Sequence, residues 1–133
     1  MSYMFDYCQS LRKINFTNFN TENLIDMSAM FKECLSLKEL NLSKFNTKNV
    51  TNMNHLFFEC SSLEYLDLSN FDTSKVSLMR FMFYNCSSLK ELNLSNFNIK
   101  NVTDMKGIFS MCSHELISHI KTNYKEIINK AFN

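Results

Sequence analysis

The sequence has almost none of the residues that usually punctuate a chain: one glycine and no proline in 133 residues. That excludes a collagen-like chain and a proline-rich linker, and it leaves little material for a phosphate-cradling loop. No apolar run approaches the ~20 residues a helix needs to span a bilayer. Charge of one sign is also missing. The formal net charge is +1, which argues against non-specific binding to nucleic acid or to an anionic membrane, since both need clustered Lys and Arg. Met1 to Ser10 show neither the basic nor the apolar stretch of a secretion signal. Five cysteines is an odd number, which does not suit a closed disulfide set in a small secreted domain. What is present is a 45% apolar fraction, enough for a core, and 18 asparagines. The asparagines are expected to supply the turn chemistry that Gly and Pro usually supply.

The main signal is internal repetition. Cys8, Cys34, Cys60, Cys86 and Cys112 are separated by 26 residues each. Met1, Met27, Met53, Met79 and Met105 keep the same phase, and so do Phe5, Phe31, Phe57, Phe83 and Phe109. Two further columns are Leu11, Leu37, Leu63 and Leu89, and Phe19, Phe45, Phe71 and Phe97. Within a unit, Leu40 and Leu42 alternate with Glu39, Asn41 and Ser43, so period two predicts a short strand. Val50, Met53, Phe57 and Cys60 follow at steps of three, four and three, a helical stripe. Thr47, Asn49 and Thr51 precede it and are expected to cap its N–H groups. One strand plus one helix cannot bury its own apolar face, whereas stacked copies can. The predicted fold is therefore an α/β repeat: a right-handed leucine-rich-repeat solenoid over 1–112, with units starting at 1, 27, 53, 79 and 105. From Ser113 to Asn133, Leu116, Ile117, Ile120, Tyr124, Ile127, Ile128 and Phe132 predict one amphipathic C-terminal capping helix. Met1 already stands in the methionine column, so the chain is expected to be cut from a longer array. Its uncapped N-terminal strand edge is expected to self-associate.

The run Met79 to Asn98, with Phe83, Cys86, Leu89, Leu92, Leu94, Ser95 and Phe97 in register, resembles the 26-residue repeat of BspA-like leucine-rich-repeat surface proteins. The resemblance covers Met1 to about Ser113. It implies a leucine-rich-repeat fold, an adhesive role and a cell-surface or extracellular location; the chain itself names no compartment.

Residues that could carry chemistry compete with packing explanations. No Cys-x-x-Cys pair offers a zinc site, and Cys60 lies in the apolar stripe, so the cysteines read as buried, reduced core residues. His114 and His119 are five apart, not the four that places two ligands on one helical face. No acid, base, nucleophile or metal set recurs outside the repeat columns, so no enzyme activity and no cofactor are expected. On the outward strand face, Lys13, Glu39, Tyr65 and Glu91 form one column and Asn41, Asp67 and Asn93 another. These are the candidate partner-binding residues, with Tyr65 as the hot-spot type. Phe58 and Tyr84 form an alternative patch. The expected function is a binding or adhesion module meeting a protein or a surface glycan on the concave strand face. The alternative is a structural fragment or spacer of a longer surface array, with no ligand of its own.

Overall fold

A computed structural model describes residues 1–132 of the chain. Its turns are built by Asn and Asp side chains. Asn15, Asn41, Asp67 and Asn93 each accept, through Oδ1, the backbone N–H two residues ahead, at 2.8–3.1 Å. Asn20, Asn46, Asp72 and Asn98 do the same at 2.9–3.3 Å. Asp26, Asn52 and Asp104 repeat the motif a third time. These Asx turns replace the glycine and proline turns that the sequence lacks. At Leu78 the column has no side-chain oxygen, and Arg80 N–H donates instead to Asn54 Oδ1 at 2.7 Å.

The expected right-handed leucine-rich-repeat solenoid, with a strand and a helix in every unit, is not the architecture formed. Among the described residues there are two strands, β1 (Tyr65–Asp67) and β2 (Glu91–Asn93), and two helices, α1 (His114–Asn123) and α2 (Lys125–Phe132). Helix makes up 14% of the chain, all of it after Cys112. The strands pair in parallel with Tyr65 opposite Glu91, Leu66 opposite Leu92 and Asp67 opposite Asn93. Elsewhere only isolated bridges form, such as Lys13 with Glu39. The stripe from Val50 to Cys60 is not helical because His55 and Glu59 have left-handed backbones, with φ of 57° and 58°. A left-handed residue ends an α-helix. Ala29 and Glu33, Phe81 and Asn85, and Gly107 and Met111 occupy the same two positions with φ between 51° and 65°. Each stretch is thus a run of tight turns whose apolar side chains share one side without a helical backbone.

Those turns are tied to one another by a one-way set of backbone bonds. The N–H groups of Tyr3, Phe5 and Tyr7 donate to the carbonyls of Ser28, Met30 and Lys32. Ala29, Phe31 and Glu33 donate to Asn54, Leu56 and Phe58. His55, Phe57 and Glu59 donate to Arg80, Met82 and Tyr84, and Phe81, Phe83 and Asn85 to Lys106, Ile108 and Ser110. All lie at 2.7–3.0 Å, and every donor precedes its acceptor in sequence. The Met1 ammonium group continues a neighbouring row, donating to Asp26 O at 3.3 Å, as Met27 N–H does to Asn52 O.

The core lies inside these turns. Phe5, Phe31, Phe57, Phe83 and Phe109 stack face to face at 5.5–5.7 Å. Cys34, Cys60 and Cys86 are fully buried, whereas Cys8 and Cys112 at the two ends are half-buried; all five are free. The thiols of Cys34, Cys60, Cys86 and Cys112 donate to the carbonyls of Phe5, Phe31, Phe57 and Phe83 at 3.0–3.2 Å. Thr47 is not a helix cap: it is buried, and its hydroxyl both donates to Asp72 O (3.1 Å) and accepts from Asp72 N–H (2.8 Å). Thr73 repeats this with Asn98 at 3.0 and 2.7 Å.

The C-terminal tail forms two helices where one was expected. Ser113 caps α1, its Oγ accepting from Leu116 N–H at 3.1 Å. Tyr124 then leaves the helix (φ −137°, ψ 57°), and its hydroxyl accepts from Leu94 N–H at 3.1 Å. That hydrogen bond fixes the break. Leu116, Ile120 and Ile127 join the core. Asn133, the last residue of the expected helix, lies outside the described residues. No helix among the described residues is long and apolar enough to cross a membrane.

Candidate functional site

The strand face gathers most of the residues singled out from the sequence. Lys13 Nζ sits 2.6 Å from Glu39 Oε2, with both side chains exposed. The pairing lowers the Glu39 carboxyl below its usual range, chiefly through the hydrogen bond from Lys13. A pair this exposed adds little stability. Tyr65 follows in the same column, 54% exposed, and Glu91 lies opposite it on β2. The Tyr65 hydroxyl is pushed up, first by desolvation and then by the Asp67 carboxylate. Asp67 is held low, first by the N–H of Ser69 and then by the Ser69 hydroxyl.

The neighbouring column does less than its exposure promises. Asn41, Asp67 and Asn93 have one oxygen committed to the turn N–H two residues on. Asn93 Oδ1 also accepts from the Tyr124 hydroxyl at 3.4 Å. What these side chains keep for a partner is their outer amide or carboxylate group.

Open depressions run along this face; one of about 450 Å³ lies between Lys13, Asn15, Asn41 and Ser43, away from Tyr65, and three more follow. The first, about 460 Å³, lies between Lys13, Ile14, Leu40 and Tyr65. The second, about 410 Å³, is bounded by Asn41, Ser43, Tyr65 and Asp67. The third, about 270 Å³, is closed by Tyr65, Glu91, His119 and Tyr124. Tyr65 borders these last three. His119 and Tyr124 are contributions from the tail that sequence spacing did not connect to this face. His119 Nε2 lies 3.2 Å from Leu92 O, which fixes the ring against β2.

The alternative patch is also real as geometry. Phe58 and Tyr84 stack at 4.6 Å, nearly parallel. Phe81 meets Tyr84 edge-on at 5.6 Å, and His55 sits between Phe58 and Phe81 at 5.6 and 5.5 Å. Lys32 Nζ lies 4.3 Å over the Tyr7 ring, and the Arg80 guanidinium 5.2 Å over Phe81. Burial lowers the His55 pKa, and the charges of Lys32 and Arg80 lower it further. These rings satisfy one another, so fewer faces are left for a partner than on the strand side.

A family model described as "Mycoplasma protein of unknown function, DUF285" matches residues 1–122. The chain belongs to the DUF285 family. No curated protein and no solved structure matches it. The DUF285 match takes in the candidate residues on both faces except Tyr124 and stops within α1, so α2 lies beyond it. Among the described residues of this DUF285 chain, no three His, Cys, Asp or Glu side chains converge as a metal-binding group.

Proposed function

We propose that this DUF285 chain is a binding module whose contact surface is the strand face around Tyr65, with a protein or a surface glycan as partner. The observation that carries this reading is Tyr65 itself. It is a large aromatic left 54% exposed in the middle of the chain, shared by three depressions and flanked by paired and unpaired charges. An aromatic anchor within a polar rim is the usual composition of a binding hot spot. The resemblance of Met79 to Asn98 to BspA-like surface proteins supports a cell-surface or extracellular site of action. Association between copies through the N-terminal end belongs to the same reading, supported by exposed Tyr3, Met4 and Tyr7 there.

The test is capture of partners from protein and glycan arrays by the wild type and by Tyr65→Ala. Tyr65→Ala is expected to weaken binding by about 1–2 kcal/mol and to leave the melting temperature unchanged. Equal binding by both would move the contact to the Phe58 and Tyr84 patch. Binding by neither would favour a spacer segment with no ligand.

A further inference from the structure

The one-way set of backbone bonds leaves the two ends of the turn stripe chemically opposite. At the N-terminal end, the carbonyls of Ser2, Met4 and Asp6 occupy the positions that accept hydrogen bonds in every later segment, and none has a protein donor among the described residues. Asp6 adds a buried Oδ1 with no hydrogen-bond partner; the nearest cation, Lys32 Nζ, is 3.9 Å away. At the other end, the N–H groups of Gly107, Phe109 and Met111 occupy the donating positions, and none has an acceptor among the described residues. Phe109 itself is buried, while Lys106, Ser110 and Met111 on the same last stretch are exposed.

Side-chain choice follows the same division. Tyr7, Glu33, Glu59, Asn85 and Met111 share one left-handed position. The three inner members are polar and the two outer ones are apolar and exposed, at 56% and 67%. Among the described residues, every exposed large apolar side chain except Tyr65 lies within 3–25 or 111–132.

We infer that copies of this chain associate head to tail. The N–H groups of Gly107, Phe109 and Met111 of one copy donate to the carbonyls of Ser2, Met4 and Asp6 of the next, and Met111 packs on Tyr7. The spacing matches: each inner donor reaches a carbonyl 25 residues on, and the same offset across the junction pairs these three with these three. A two-fold contact between N-terminal ends would set acceptor against acceptor along this stripe. The head-to-tail contact is heterologous and leaves a free end on each side, so it grows without closing. The inference rests on the self-association reading given above and specifies its polarity.

Sedimentation velocity across a concentration series tests it, using the wild type, Tyr7→Glu, Met111→Glu and an equimolar mixture of the two variants. Glu33 and Glu59 already occupy this backbone position, so both variants should fold. Tyr7→Asn and Met111→Asn, which copy the residue found at Asn85, form a second pair. The wild type is expected to give an open series of oligomers that lengthens with concentration. Each variant alone should be monomeric, and the mixture should give a 1:1 pair and nothing larger. Wild-type-like oligomers from Met111→Glu, with monomers from Tyr7→Glu, would overturn the polarity but leave self-association standing. A wild type that stays monomeric at high concentration would overturn both.

Discussion

Gly107 lies beneath the ring of Phe81, and a Cβ added there would fall inside that ring's van der Waals surface. The chain's one glycine therefore marks a close approach. Its left-handed backbone (φ 65°) is not what demands glycine, because Tyr3, Ala29, His55 and Phe81 hold the same position with side chains.

Gly107→Ala should accordingly destabilise the protein through overpacking, by about 1–3 kcal/mol. Thermal unfolding measures it. A double-mutant cycle isolates the cause: in a Phe81→Ala background the cost of Gly107→Ala should fall to the roughly 1–2 kcal/mol of a left-handed alanine. An undiminished cost in that background would place the strain in the backbone instead.

Phe57 stacks between Phe31 and Phe83 and is fully buried. Phe57→Ala removes two ring faces at once and should cost roughly 3–5 kcal/mol. Denaturant unfolding should show a lower midpoint with little change in slope. Phe5→Ala, at the half-buried end of the same stack, should cost clearly less.

Much of this core is legible in sequence. The cysteine, methionine and phenylalanine columns name the buried residues because a 26-residue spacing survives whatever backbone carries it. Backbone conformation is not legible. Val50, Met53, Phe57 and Cys60 are spaced like a helix, but two consecutive tight turns place the same residues on one side. The left-handed residues that distinguish the cases are His55 and Glu59, neither of which announces such a geometry as glycine would. Thr47 misleads for a related reason. A threonine ahead of an apolar run looks like a cap, whereas the hydroxyls of Thr47 and Thr73 both bridge to the backbone 25 residues on. Of the strand face, Lys13, Glu39, Tyr65 and Glu91 are visible as a column; His119 and Tyr124 are not, because the packing of α1 on β2 places His119 there and the end of α1 places Tyr124.

The thiols predict a loss of stability at high pH. Burial raises the Cys60 and Cys86 thiols well above their ordinary value, and raises Cys34 to about 12 and Cys112 to about 11. An unfolded thiol titrates near 8.5. Between those values the folded chain holds protons that the unfolded chain has released, so stability is complete below about pH 8.5 and declines as pH rises. Cys60 and Cys86 should each contribute about 1.4 kcal/mol of loss per pH unit. Melting temperatures from about pH 7 to about pH 10.5 should fall in this window, and Cys60→Ala with Cys86→Ala should flatten the decline. A wild-type curve that is already flat would contradict the burial of these thiols.

The one-way backbone bonds also make this stripe electrically polar. Peptide units whose N–H groups all point toward the C-terminal segments add their dipoles, as they do along an α-helix. In this stripe the partial negative charge gathers at Ser2, Met4 and Asp6 and the partial positive charge at Gly107, Phe109 and Met111. The stripe therefore carries a lengthwise dipole that the net charge of +1 does not reveal. A charged group of either sign should therefore prefer one end of this stripe to the other.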